Sequence, residues 1–127
     1  MNKKRVLLVD DEATFTKLIQ RHLEGTGKFE VRTESKATQV MTTAREFRPD
    51  VIVLDVIMPD QDGGEVAAEL KTDAKLASVP VIFLTAIVSK EHVQRQGEVI
   101  GGQTFLAKPV SVPDLVRHIE AKLDQAA

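Results

Sequence analysis

The amino-acid sequence predicts an α/β fold, an open, doubly wound parallel sheet in three layers with helices on both faces. Three observations lead there. The apolar runs Val6-Leu7-Leu8-Val9, Val51-Ile52-Val53-Leu54 and Val81-Ile82-Phe83-Leu84 are unbroken and short, as strands buried on both faces are. Amphipathic helical patterns alternate with them. The connections are short, and right-handed crossovers between parallel strands then place helices on each side.

In order, Val6 to Val9 reads as the first strand, closed by Asp10-Asp11. Phe15, Leu18, Ile19 and Leu23 recur at helical spacing, and Gly25 and Gly27 stop that helix. Phe29 to Thr33 alternates as a half-buried strand does. Ala37, Val40, Met41, Ala44 and Phe47 mark a second helix that ends before Pro49. Val51 to Leu54, rich in β-branched residues, leads to Asp55. A loop with Met58-Pro59 and Asp62-Gly63-Gly64 opens a third helix around Val66, Ala67 and Leu70. Pro80 precedes the fourth strand, which ends at Thr85. From Ser89 to Ile100 the pattern is weak: His92 and Val93 suit an inward face, but Gly97 interrupts it. Thr104 to Ala107 is a fifth strand, closed by Lys108-Pro109. Ser111-Val112-Pro113-Asp114 has capping-box spacing and starts a last helix through Leu115, Val116, Ile119 and Leu123. The expectation is five strands and five helices in one domain spanning 1–127, with its core over about 4–123 and no output domain.

Composition narrows the function. A net charge of −2 gives no basic footprint for direct nucleic-acid binding. Absence of Cys excludes disulfides, thiolate nucleophiles and Cys-based zinc sites. The first apolar run is too short for a signal peptide or a membrane span, so the expectation is a cytoplasmic protein without membrane insertion.

In an open parallel sheet, ligands sit outside the carboxyl ends of the strands. Here those ends carry Asp10-Asp11, Asp55, Thr85 and Lys108. Carboxylates crowded together repel unless protons or a cation neutralise them. All-oxygen ligands favour a hard cation, Mg²⁺ before Zn²⁺, with Mn²⁺ able to replace it. Such a site recruits phosphate oxygens, and an Asp carboxylate can itself accept a phosphoryl group. The metal, Lys108 and Thr85 would stabilise the transferring group.

Each residue has a plainer explanation. Asp10-Asp11 could be a helix N-cap, Asp55 a turn residue, Lys108 a solvated side chain, and Phe105 core packing. Those explanations do not account for every polar group falling at one sheet edge. His22, His92 and His118 lack an acidic partner at ligand spacing and read as surface or packing residues.

The motifs Val9-Asp10-Asp11-Glu12, Leu54-Asp55-Val56-Ile57-Met58-Pro59, Asp62-Gly63, Leu84-Thr85-Ala86 and Gly101 through Pro109, taken in order, resemble response-regulator receiver domains. The resemblance implies a flavodoxin-like (βα)5 fold with strand order 2-1-3-4-5. It implies that Asp55 is the phosphoacceptor, supplied by a histidine kinase or a phosphotransfer protein in two-component signalling. Asp11, Asp55 and the main-chain oxygen of Ile57 would bind Mg²⁺, with Asp10 acting through water. Lys108 would pair with the phosphoryl group, and its peptide bond to Pro109 would be cis. Thr85 and Phe105 would be the switch pair, acting on a protein target through the fourth helix, fifth strand and fifth helix; a homodimer through the last two helices is within the family's range. The chain would be a regulator, not an enzyme, assisting only its own phosphorylation and dephosphorylation.

Two positions depart from the family pattern. Phe105 has no hydroxyl where Tyr is common, which bears on any switch using an outward hydrogen bond. Apolar Ile57, two residues past the acceptor, could restrict water attack, so slow self-dephosphorylation is expected.

Three alternatives are weighed. An aspartyl-phosphate phosphatase would need a second Asp two residues after the first, which Asp10-Asp11-Glu12 does not supply. A flavin or nucleotide module would need a phosphate-binding first loop, which those acids would repel. A degenerate receiver serving only as a docking module would not need the acceptor and its helpers, all of which are present.

Overall fold

Alternating burial divides the strands that begin at Lys4, Val51 and Val81 between two cores, and this division sets the architecture. The computed structural model describes residues 3–56, 58, 61, 63–85, 98–100, 103–107 and 111–126. Its elements are β1 (Lys4–Val9), α1 (Ala13–Gly25), β2 (Phe29–Glu34), a 3-10 turn (Ala37–Gln39), α2 (Val40–Phe47), β3 (Val51–Asp55), α3 (Gly63–Thr72), β4 (Val81–Thr85), β5 (Glu98–Ile100), β6 (Gln103–Ala107) and α4 (Val112–Ala126).

The sheet runs β2-β1-β3-β4-β6-β5. Pairing is parallel from β2 through β6, while β5 runs antiparallel along the outside of β6. With β6 as the expected fifth strand, the predicted order 2-1-3-4-5 is observed, and the fold is flavodoxin-like. The short outer strand β5 corrects the sequence expectation, which left Ser89 to Ile100 without a strand. Residues 86–97, where the fourth helix was expected, lie outside the described residues.

On one face, Leu7, Val9, Ile52, Leu54 and Phe83 pack against Val40, Ala44 and Phe47 of α2 and Val66, Ala67 and Leu70 of α3. On the other, Val6, Leu8, Val51, Val53, Ile82, Leu84 and Leu106 pack against Ile19 and Leu23 of α1 and Leu115 and Ile119 of α4. Val51 to Leu54 are all fully buried. At about 1.5–3 kcal/mol for each large aliphatic side chain removed from water, such strands hold both helical layers to one sheet.

Local chemistry sets the boundaries. Helix α1 ends where Thr26 donates from its hydroxyl to the Leu23 carbonyl at 2.7 Å and Gly27 turns to φ 78°. Its polar face also covers the sheet edge: Gln20 donates to the Val31 carbonyl, and the Glu24 carboxylate accepts from the Val31 N–H. The second helix begins later than its apolar pattern suggests, because Ala37 lies in the 3-10 turn. It ends at Arg48, whose φ of 54° is left-handed, immediately before Pro49. The guanidinium groups of Arg5 and Arg32 lie 5.7 and 5.1 Å from the Phe47 ring centre. Ser111 caps α4, its hydroxyl accepting from the Asp114 N–H at 3.2 Å. No helix among the described residues is long and apolar enough to cross a membrane.

Candidate functional site

Two strand ends deliver buried carboxylates to one corner. Beyond β1, the Asp10 N–H still donates to the Glu34 carbonyl at 3.1 Å, so the sheet pairing fixes the backbone at this residue. Asp55 is the last residue of β3, and its N-terminal neighbours Val51 and Val53 face the α1–α4 core. Asp10 is 0% exposed and Asp55 4%. Thr16, whose hydroxyl donates to the Ala13 carbonyl, is likewise buried, but it is uncharged.

Exposed Asp11 completes the group. One carboxylate oxygen from each of Asp10, Asp11 and Asp55 lies within 4.8 Å of the others. Burying a carboxylate is costly unless its charge is compensated, and packing three so closely adds mutual repulsion. Oxygen donors with no nitrogen or sulfur suit Mg²⁺, which commonly binds through one or two carboxylates and keeps several waters. On donor chemistry, the residues therefore fit the expected ion.

The helix-cap explanation for Asp10-Asp11 is not what the structure shows. The N-cap position of α1 is Glu12, in extended conformation and without a side-chain capping bond. Asp10 instead accepts the Glu12 N–H through Oδ1 at 2.9 Å, which folds the chain back and leaves the helix to start at Ala13.

The phosphoacceptor candidate is also held from behind. The Val56 N–H donates to the Leu84 carbonyl at 2.9 Å, and the Val56 carbonyl accepts the Gly63 N–H at 2.8 Å. Val56, the residue after Asp55, is thus bonded to β4 through its N–H and to the start of α3 through its carbonyl. In the sequence Gly63 stands only as part of the Asp62-Gly63 motif; its contact with the end of β3 exists only in three dimensions.

Thr85 closes β4. The register pairs Asp55 with Leu84 and Thr85 with Ala107, so the backbones of all three strands end at one edge. Phe105 lies in β6 opposite Phe83. Lys108 and Ile57 fall outside the described residues. A groove of about 690 Å³ lined by Arg45, Arg48, Pro49, Asp73 and Leu76 sits at the opposite edge and shares no residue with the carboxylate group. Within it, the Arg45 guanidinium donates to Asp73 at 2.9 Å and the Lys75 N–H donates to its other oxygen. These bonds hold the Asp73 carboxyl below the usual carboxylate range.

Comparison with known proteins gives the family and the fold. A family model described as the response regulator receiver domain matches residues 6–120. The polar-differentiation response regulator DivK of Brucella anthropi is 36% identical over 125 residues, covering 97% of this chain and 98% of that protein. The signal receiver domain of a signal transduction histidine kinase from Syntrophus aciditrophicus superposes with a TM-score of 0.79 at 30% identity, over 96% of this chain and 91% of that one. The chemotaxis protein CheY4 of Vibrio cholerae gives a TM-score of 0.80 at 27% identity, over 94% and 98%.

Proposed function

This chain belongs to the response regulator receiver domain family, the regulatory side of two-component signalling, and from that premise we propose that Asp55 is its phosphoacceptor. The observation that supports this most is the convergence of buried Asp10 and buried Asp55 with Asp11 within 4.8 Å. In the proposed step, an Asp55 carboxylate oxygen attacks the phosphorus of a phosphohistidine on a histidine kinase or phosphotransfer protein. A P–O bond forms, the P–N bond breaks, and the imidazole nitrogen keeps the electron pair. The product is an acyl phosphate on Asp55.

Asp10, Asp11 and Asp55, with the Ile57 carbonyl, are the residues that would hold Mg²⁺. When bound, the ion offsets negative charge shared between the carboxylates and the incoming phosphoryl oxygens. Burial of Asp55 excludes water from its flank, and the bonds of the neighbouring Val56 N–H to β4 and Val56 carbonyl to α3 keep its backbone in place. Lys108, one residue past β6, is assigned to pair with the phosphoryl group, and the Thr85 hydroxyl to donate to it. Thr85 and Phe105 would then pass the change to a protein target through residues 86–97, β6 and α4.

Phosphotransfer tests the proposal. The wild-type chain, mixed with a phosphohistidine donor domain and MgCl₂, is expected to gain one phosphoryl group by intact mass. EDTA and Asp55→Asn should each abolish the gain. A wild-type chain that gains nothing would favour a docking module that works without phosphorylation.

A further inference from the structure

The first residue of α3 stands against the acceptor's own backbone. A Cβ placed on Gly63 would lie 2.4 Å from the Asp55 carbonyl oxygen, 2.8 Å from the Val56 Cα and 3.1 Å from the Asp55 carbonyl carbon. Real Cβ atoms essentially never approach below 3.0 Å. All three neighbours are main chain, so no side chain can swing aside to make room. Gly63 is also buried, and its N–H donates to the Val56 carbonyl at 2.8 Å.

From this geometry we infer that Gly63 is a positioning residue for Asp55: α3 can seat on the acceptor peptide only because its first residue has no side chain. The inference rests on the reading of Asp55 as acceptor. Either α3 or the end of β3 must move when a methyl group is added. The bodies of both elements resist displacement, since Val66 and Leu70 of α3 are buried, as Val53 and Leu54 of β3 are. The strain therefore falls on the strand's last residue and on the Val56 peptide, the point from which the Asp55 carboxylate is aimed at Asp10 and Asp11. Misplacement of a reacting group by about 1 Å can cost on the order of a hundredfold in rate.

The test compares the full wild-type chain with Gly63→Ala and with Gly25→Ala. Gly25 is a helical glycine at which a Cβ meets nothing within 4 Å, so it controls for the change in helix propensity. Each protein is titrated with MgCl₂ by calorimetry and phosphorylated with acetyl phosphate across a range of donor concentrations. Far-UV circular dichroism gives the folded fraction, with trimethylamine N-oxide added where needed to restore it. The ion-free proteins are also compared by hydrogen exchange at the Val56 N–H.

The folded Gly63→Ala protein is expected to bind Mg²⁺ about tenfold or more weakly, to phosphorylate about ten- to a hundredfold more slowly at saturating donor, and to exchange Val56 faster. Gly25→Ala should match wild type. Native Mg²⁺ affinity and phosphorylation in the folded Gly63→Ala protein would overturn the inference. So would its failure to fold even with osmolyte, which would make Gly63 a requirement of the fold as a whole. A wild-type chain that neither binds Mg²⁺ nor phosphorylates would refute the acceptor reading itself.

Discussion

Neutralising Asp10 should stabilise the ion-free protein while weakening its hold on Mg²⁺. Asp10 and Asp55 are buried, and their nearest carboxylate oxygens lie within 4.8 Å. At an effective dielectric constant of about 20, two unit charges at that separation repel by about 3.5 kcal/mol. Asp10→Asn removes this repulsion and keeps an oxygen able to accept the Glu12 N–H. Part of the gain is lost because the amide NH₂ must find new partners in a buried site, and because nearby water screens the pair. A net stabilisation of about 1–3 kcal/mol is therefore expected without divalent ions. Asp11→Asn should give less, since Asp11 is exposed and solvent already screens its charge. Urea unfolding in EDTA and in excess MgCl₂ measures both sides. Wild type should gain stability from Mg²⁺ by mass action, and Asp10→Asn should gain much less. Ion-free Asp10→Asn that is less stable than wild type would refute the claim that these carboxylates repel one another.

Other consequences concern the rest of the chain. Phe47 is 5% exposed in the α2–α3 core and lies beside the Arg5 and Arg32 guanidinium groups, so Phe47→Ala should cost about 3–5 kcal/mol in urea unfolding. A loss below about 1 kcal/mol would contradict that packing. Arg48→Gly relieves a left-handed backbone and should raise stability by about 0.5–1 kcal/mol; destabilisation would mean the side chain outweighs the strain. Asp73 is held below the usual carboxylate range by Arg45 and the Lys75 N–H, so its contribution is present above its unfolded pKa and is lost as pH falls through the folded value. The stability difference between wild type and Asp73→Asn should thus narrow below about pH 4, and a difference independent of pH would count against the ion pair. Finally, apolar Ile57 two residues past Asp55, the proposed acceptor, leads us to expect an aspartyl phosphate lasting minutes or longer in the isolated domain. Loss within seconds by intact mass would contradict that.

Much of this was legible because strand burial and strand chemistry coincide. Val51 to Leu54 could be read as a fully buried strand from its unbroken β-branched run, and the acid that ends it is the candidate acceptor. Asp10 and Asp11 were legible for the same reason, at the end of the run from Val6 to Val9. The outer strand β5 was missed because three residues carry too little periodicity to register. Its usable signal was the Gly101-Gly102 pair between Ile100 and Gln103, a length and composition typical of a tight hairpin. The left-handed turn at Arg48 was hidden because only the helix stop before Pro49 can be read from the sequence, not the way the chain turns there. Gly63 illustrates a different limit: the sequence shows a glycine after Asp62, but what requires it is the carbonyl of a residue eight positions earlier.

Calorimetric titration of the wild-type chain with MgCl₂, alongside Asp55→Asn, addresses the central claim most directly. The account predicts saturable binding of one ion to wild type and a marked loss of affinity when the acceptor carboxylate becomes an amide. Absence of binding to folded wild type, or undiminished binding to Asp55→Asn, would contradict it.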